Sequence, residues 1–518
     1  MADRMVDILA VHAATQPDKL AIVDDRPGCP TVTYTFTQAN QRSNQYAALL
    51  VDLGVTNTTK VVWCGQNSAG LLLVANAIQK VGGVGVPLNY RLTPEEAAYV
   101  IDNCDAEVVV VDAEYASLIE QARPTSKVRD VLTFDGDGSL EARLDGYPTE
   151  NVEPVEGSVG TTMTYTSGTT GKPKGAVRAA IQNQDQASAL VQLIGYQPDD
   201  VYVTTGPLYH SGPGGFAVLS LMLGNTIVVQ HKFDPEDWLR LVDTYKVTTT
   251  FTAPTPIRMV CSLPAEIKAA YDRSSMKRVI ANAAPWTLAL KKLYLADFPS
   301  DSLWEVYGST ELGVDTVLGP DDHLRKPGSC GKPAPGVEVA LFDESGQHIT
   351  EPHVKGELYV RATNVFTTYY KDEEKYREVT RGDYHTVGDV AYFDEDGYFY
   401  IADRKRDMII SGGMNIYPAE VEAVLDQSPD VFEVAVIGVP DEEWGENVHA
   451  VVVPAHEGVT ADAIMAFGRV HLAGYKVPRS VSFVAELPKT GSGKVLKREL
   501  RAPYWNEPAQ LRPDGPAL

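Results

Sequence analysis

Cysteine is scarce: there are five in 518 residues (Cys29, Cys64, Cys104, Cys261 and Cys330), odd in number, far apart and without a C-x-x-C pair. That argues against a disulfide framework and a cysteine-built zinc site, and a reducing compartment, the cytoplasm, is expected. Positive charge is also short. Lysine and arginine number 45 against 69 acidic residues, a formal charge of −24, so most of the exterior repels nucleic acid and anionic lipid. No run of about 18 apolar residues occurs, so no transmembrane segment is expected. The opening MADRMVDILAVHAATQPDKLAIV carries acids where a targeting leader would have a basic region followed by an apolar one. Low-complexity tracts and internal repeats are missing too, which argues against disorder and against a solenoid.

What is present is a globular composition, 44% hydrophobic and 22% charged, in a chain too long for one ordinary core. Apolar runs alternate with helical patterns: KVVWCG, LLLVANAIQKVG, GVGVPLN, TPEEAAYVIDNC, EVVVVD. This is the βαβ rhythm of a parallel sheet. Thr93, ahead of Pro94, Glu95 and Glu96, supplies a hydroxyl cap, a first-turn proline and acids at the positive end of the helix dipole. From about Gly356 the pattern becomes short strands with polar turns, and DEDG between two aromatic runs predicts a hairpin. The charged run DRKRD follows, and apolar periods then restart. The expected architecture is α/β: a large N-terminal domain (1–402) with parallel-rich sheets and a β-barrel-like part, a hinge at 403–406, and a small α+β C-terminal domain (407–518). Between Arg469 and Arg501 eight basic residues face two acidic ones, a local exception that could meet a phosphate-bearing ligand.

Two glycine-rich stretches invite a nucleotide reading. In YTSGTTGKPKG (Tyr165–Gly175) and PKTGSGKVLK (Pro488–Lys497) the spacing fails the G-x-x-x-x-G-K-[ST] test, because Pro173 and Val495 stand where the metal-binding hydroxyl belongs. Glycines that admit close backbone approach, hydroxyls and Lys174 are still what phosphoryl oxygens need. Taken alone, such a stretch is as readily a flexible surface loop.

The complete string YTSGTTGKPKG resembles the phosphate loop of the adenylate-forming superfamily, whose members include AMP-forming acyl-CoA synthetases. Six further motifs follow in the family's order: PLYHSG (Pro207–Gly212), NAAP (Asn282–Pro285), EVYGSTE (Glu305–Glu311), VGD (Val387–Asp389), DRKRDMIISGGMNIYPAEVE (Asp403–Glu422) and PKTGSGKVLKREL (Pro488–Leu500). The resemblance implies a carboxylate attacking the α-phosphorus of ATP to give acyl-AMP and pyrophosphate, then displacement of AMP by the thiol of coenzyme A. It assigns the β- and γ-phosphates to Thr166, Ser167, Gly168, Thr169, Thr170, Gly171 and Lys174. Mg²⁺ goes to Glu311 with Thr170. The adenine walls fall to Ala283, Ala284, Pro285, Glu305, Val306, Tyr307 and Gly308, beside Thr310. The ribose hydroxyls fall to Asp389 and Arg404. Lys494 becomes the adenylation lysine, acting with Glu311, Thr166 and a gating His210. Ser411, Gly412 and Gly413 become the pantetheine channel. Arg406 is a departure, standing where the family's hinge more often has aspartate or lysine. Because Lys494 lies in the smaller domain, the site must be assembled by closure.

Other readings are weaker. An adenylation enzyme loading a carrier protein would carry an acidic residue after PLYH, where this chain has SGPGGFAVL; a stand-alone acyl-AMP ligase would often interrupt IISGGMNIYPAEVE with an insertion. A non-catalytic ATP-binding module would be expected to lose Lys494 or Glu311. The acyl pocket is expected around His210, Asn282, Gly308, Val314 and Asp315, and the apolar FAVLSLMLGN suggests a hydrophobic acid. A medium- or long-chain fatty acid is favoured over a steroid side chain or aryl acid, and a short acid comes last. Asp315 could face this pocket, cap a helix or meet solvent. Oligomeric state is open, with a homodimer compatible.

Overall fold

A computed structural model describes residues 6–123, 126–134, 139–153, 160–166, 172–179, 184–404, 407–412, 414–491 and 493–505. The side chains of Ser139, Glu141 and Arg404 lie outside this description.

The alternating runs become strand and helix as their periods require. KVVWC forms the strand Lys60–Cys64, followed by the helix Ala69–Lys80, the strand Val84–Leu88, the helix Pro94–Asn103 and the strand Ala106–Asp112. Thr93 closes a reciprocal capping box with Glu96, an arrangement that contributes about 1 kcal/mol. Lys60–Cys64 pairs in parallel with both Val84–Leu88 and Ala106–Asp112. These strands belong to a seven-stranded sheet that ends, through antiparallel pairs, at Thr161–Thr166, Lys174–Ala179 and Thr368–Tyr369.

A nine-stranded sheet lies across a helical layer from it. One apolar cluster joins Val61 and Trp63 of the first sheet, Tyr202 and Ile227 of the second, and helices Phe36–Asp52 and Ala69–Lys80 between them. Further helices cover the outer faces, making helix, sheet, helix, sheet, helix. In the larger sheet Val201–Thr204 pairs in parallel with Thr226–Val229 on one side and Thr249–Thr252 on the other, and Arg278–Ala281 and Leu303–Ser309 continue from the latter. Successive crossovers therefore leave Val201–Thr204 in opposite directions. Open α/β sheets bind ligands in the crevice this creates at the carboxyl ends of the strands.

The antiparallel portion starts earlier than the sequence pattern suggested. Glu338–Phe342 already pairs with His348–Ile349 and with Gly356–Arg361, because DESG turns the chain between two short apolar runs. DEDG forms the expected hairpin, with Phe393 opposite Phe399. Beyond it, Ile409–Ser411, Met414–Ile416, Val431–Asp441, Gly445–Pro454 and Ser480–Phe483 form a separate five-stranded sheet. That sheet packs one core against helices Pro418–Leu425 and Ala461–His471 and a second against Leu487, Val495 and Leu500 of the C-terminal segment.

Candidate active site

Four parallel strands deliver the site from their carboxyl ends. Val201–Thr204 leads to His210, Thr249–Thr252 to Ala253, Arg278–Ala281 to Asn282–Pro285, and Leu303–Ser309 to Thr310 and Glu311. His210 ends its loop as the N-cap of the helix Ser211–Met222, its Nδ1 accepting the N–H of Gly212 at 3.3 Å. Ser211 and Thr310 hydroxyls meet at 2.6 Å, tying that helix to the Glu311 turn.

Glu311, 7% exposed, gathers two hydroxyls on one oxygen: Thr166 donates to its Oε1 at 2.9 Å and Tyr369 at 3.0 Å. Arg178 braces the same turn, donating from Nη1 to the Thr310 carbonyl and from Nη2 to the Asn364 carbonyl, both at 2.7 Å. Lys174 pairs with Asp372 at 2.9 Å. Ser167, Gly168, Thr169, Thr170 and Gly171 lie outside the described residues.

Asp389, 6% exposed, accepts the Tyr307 hydroxyl at 2.6 Å. Burial, and then the Asp389 charge, hold the Tyr307 phenol well above its ordinary pKa, so it remains a donor. The Arg404 backbone is the strand partner of Asp389. Ala283 adopts a left-handed φ of 69°, a conformation that costs a residue with a side chain. Four interactions hold this turn: Asn282 donates to the Val306 carbonyl and accepts the Ala283 N–H, and Glu305 accepts the N–H of Trp286 while pairing with buried Lys291. Gly308 passes so close to the next strand that a Cβ there would lie 1.9 Å from the Gly313 carbonyl oxygen.

The C-terminal part closes over this crevice. Lys494 sits in a turn, its N–H donated to the Thr490 hydroxyl at 3.1 Å and its carbonyl accepting the Thr490 N–H at 2.7 Å. Gly491 faces Tyr209 so tightly that a Cβ would fall 1.4 Å from the phenol oxygen. Burial, and then the Lys494 ammonium, push the His210 pKa down to about 4; the imidazole is neutral and the two side chains share one electrostatic environment. Away from the crevice, Asp426 takes Arg258 at 2.9 Å and the Thr287 hydroxyl, and Glu433 takes Lys489 at 2.7 Å and the Thr255 hydroxyl at 3.2 Å. Arg258, Thr287 and Thr255 belong to the larger part.

The profile of the AMP-binding enzyme family matches residues 9–370, and that of its C-terminal domain matches residues 420–494. The chain belongs to the AMP-binding enzyme family. It is 33% identical over 504 residues to an indoleacetate–CoA ligase of Aromatoleum aromaticum, covering 95% of this chain and 96% of that one. With a long-chain-fatty-acid–CoA ligase of Mycobacterium tuberculosis it shares 32% over 481 residues, covering 91% and 93%. An anthranilate CoA ligase solved with anthranoyl-AMP superposes with a TM-score of 0.88 at 27% identity, covering 97% of each chain. The protein is an AMP-forming acid–thiol ligase.

Several residues around the ligase's crevice escaped the sequence reading. Arg178, Lys291, Tyr369 and Asp372 fall in no motif, and only strand pairing brings Tyr369 opposite Ala176 and hence near Glu311. Other assignments are placed but not joined to the crevice. Ser411 is buried, and Gly412 donates its N–H to the Trp444 carbonyl at 2.8 Å. Arg406 and Gly413 lie outside the described residues. Asp315 neither caps a helix nor meets solvent; it is buried in the strand Gly313–Leu318.

Proposed function

We propose that the ligase activates a hydrophobic carboxylic acid in two half-reactions: adenylation by ATP with release of pyrophosphate, then transfer of the acyl group to the thiol of coenzyme A. The observation that carries this reading is the seat of the Lys494 turn against Tyr209, with its charge felt at His210. In the first half-reaction a carboxylate oxygen bonds to the α-phosphorus as the bond to pyrophosphate breaks. Lys494 would offset the charge gathering on the carboxylate and the α-phosphate, and one oriented donor of this kind contributes about 10² to 10³ in rate. Asp389 would accept the ribose hydroxyls, with Arg404 beside it. Asn282 to Pro285 and Glu305 to Gly308 would flank the base. Thr166 and Lys174 would hold the departing phosphates, Lys174 exchanging Asp372 for phosphate.

Glu311 suits Mg²⁺: its Oε1 carries both hydroxyl bonds, so Oε2 is a hard oxygen donor for the ion. Among the described residues no cluster of three protein ligands exists, in keeping with an ion held chiefly by phosphate and water. When bound it supplies neutralisation of phosphate charge. Transfer to coenzyme A requires the small domain to turn, with Arg406 in the pivot and Ser411 to Gly413 along the thiol's path.

One observation favours a compact, ring-bearing acid over an extended fatty acyl chain. Phe216 of the apolar helix stacks on Phe251 with centroids 5.1 Å apart, which puts aromatic side chains suited to packing on a ring between this helix and the sheet.

Pyrophosphate release over aromatic, medium-chain and long-chain acids, with and without coenzyme A, tests the reading. Turnover that depends on a hydrophobic acid and yields its thioester is expected; thiol-independent turnover of amino acids alone would sink it. Lys494→Ala should abolish acyl-AMP formation yet leave thioester formation from supplied acyl-AMP largely intact, and equal loss of both would refute the lysine's role.

A further inference from the structure

Asp315 is the one carboxylate of the crevice region with no partner of its own among the described residues. It is 0% exposed, and neither carboxyl oxygen has a hydrogen-bond partner among the described residues. Its position in the strand is also irregular. Tyr307 pairs with Thr316 and Gly308 pairs with Val314, so Asp315 is the extra residue between two register pairs. Such a bulge leaves one residue unpaired and re-aims its side chain, a device common beside active sites. Val314, the preceding residue, packs against the apolar cluster that contains Phe216 and Phe251. Opposite it stands Gly308, which presents no side chain toward the bulge.

The surroundings offer Asp315 charge but no bond. Arg178 is near enough to favour its ionised form, but the bonds its Nη1 and Nη2 make go to the Thr310 and Asn364 carbonyls and none to Asp315. Asp389 opposes ionisation, and the Tyr307 hydroxyl is already given to Asp389. Burial adds to that opposition, and together they raise the Asp315 pKa well above the carboxylate range. A buried polar group without a partner is costly, and proteins keep few that serve no purpose.

We infer that Asp315 determines specificity by binding a hydroxyl or N–H on the acyl portion of the substrate, so that the preferred acid is a hydrophobic one carrying a hydrogen-bond donor remote from its carboxylate. This rests on the acyl-CoA ligase reading above. The donor would hydrogen-bond a carboxyl oxygen of Asp315, which is an acceptor in either protonation state, while Val314 and the apolar helix would contact the rest of the acyl group. A pocket built to bond such a donor discriminates strongly against the analogue lacking it, because the analogue leaves the buried group unpaired.

The test compares matched acids in coenzyme A-dependent pyrophosphate release: hydroxyphenyl acids of varied chain length against their methoxy and unsubstituted counterparts. Wild type should prefer the donor-bearing member of the best pair by about 10² or more in kcat/KM. Asp315→Val should reduce that preference to within about fivefold, mainly through KM, and Asp315→Asn, which keeps a polar group of the same shape, should retain part of it. AMP affinity, measured by calorimetry, reports whether each variant keeps its nucleotide site. A wild type that forms thioesters without regard to the donor overturns the inference and leaves the ligase reading standing. Failure to form a thioester from any acid overturns both. Lost AMP binding with an unchanged acid preference would assign Asp315 to the ribose side and overturn the inference as well.

Discussion

Replacing Lys291 with methionine would remove the cation from a pair enclosed beneath the proposed adenine wall. The Lys291 side chain is 1% exposed and that of Glu305 12% exposed. Burial raises the Glu305 pKa, opposed by Lys291 and by the N–H of Trp286. Methionine keeps most of the apolar stem, so packing changes little. The main loss is electrostatic: removing one member of a buried pair costs about 3 to 5 kcal/mol, roughly two to three and a half decades in the folding equilibrium. The cost should depend on pH in a definite sense. With its folded pKa raised, Glu305 favours the folded state while protonated, and that contribution is lost as pH rises through the folded pKa. Without Lys291 the folded pKa rises further, so the deficit of Lys291→Met should be small in mild acid and grow toward neutral pH. Adding Glu305→Gln removes the stranded charge and should recover most of the loss, leaving a deficit of about 1.5 kcal/mol or less. Urea unfolding followed by tryptophan fluorescence gives the midpoints, with slopes compared because a two-part chain need not unfold in one step. AMP calorimetry should show weaker binding for the single variant, whose Ala283–Trp286 turn loses a fixed anchor. If the double variant lost as much as the two single variants together, or if the deficit were flat with pH, the pair would not be the anchor described.

Three further outcomes are expected. Because burial and Lys494 hold the His210 pKa near 4, the ring should stay neutral down to about that pH. The stability it contributes should be lost between its unfolded value of about 6.5 and 4; histidine NMR that finds titration near 6.5 would contradict the closed arrangement, and Lys494→Ala should move the value upward. Tyr369→Phe removes one of two donors on Glu311, and a bond to a charged group is worth about 1.5 to 3 kcal/mol. The Mg²⁺ concentration for half-maximal pyrophosphate release should change about tenfold, and an unaltered requirement would separate Tyr369 from the metal site. Asp426→Ala removes the acceptor of Arg258 and Thr287 between the two parts, so adenylation should slow more than thioester formation from supplied acyl-AMP; equal slowing would mean that these bonds do not bias closure.

Much of this protein could be read without coordinates, and particular residues show why. Strand and helix follow from periods of two and about 3.6 residues, so Lys60–Cys64, Ala69–Lys80 and the capped helix after Thr93 were recognisable from their own side chains. The DEDG hairpin needed only four turn residues between aromatic runs. Motif order identified the family, and the spacing test that rejected YTSGTTGKPKG and PKTGSGK as Walker loops left both as phosphate and lysine candidates. The start of the antiparallel sheet was missed because Glu338–Phe342 and His348–Ile349 are too short for a clear period.

Tertiary structure alone decided which distant groups meet. Nothing near Tyr369, Arg178 or Asp372 marks it as a neighbour of Glu311, Thr310 or Lys174, because those contacts depend on sheet order and on residues up to about two hundred positions away. The approach of Lys494 to His210 depends on a glycine fitting against Tyr209. Burial decides in the same way for Lys291, Glu305 and Asp315. A charged residue in sequence is most often solvated, and only a packed interior can withhold water from it and leave the Asp315 carboxyl group without a hydrogen-bond partner among the described residues.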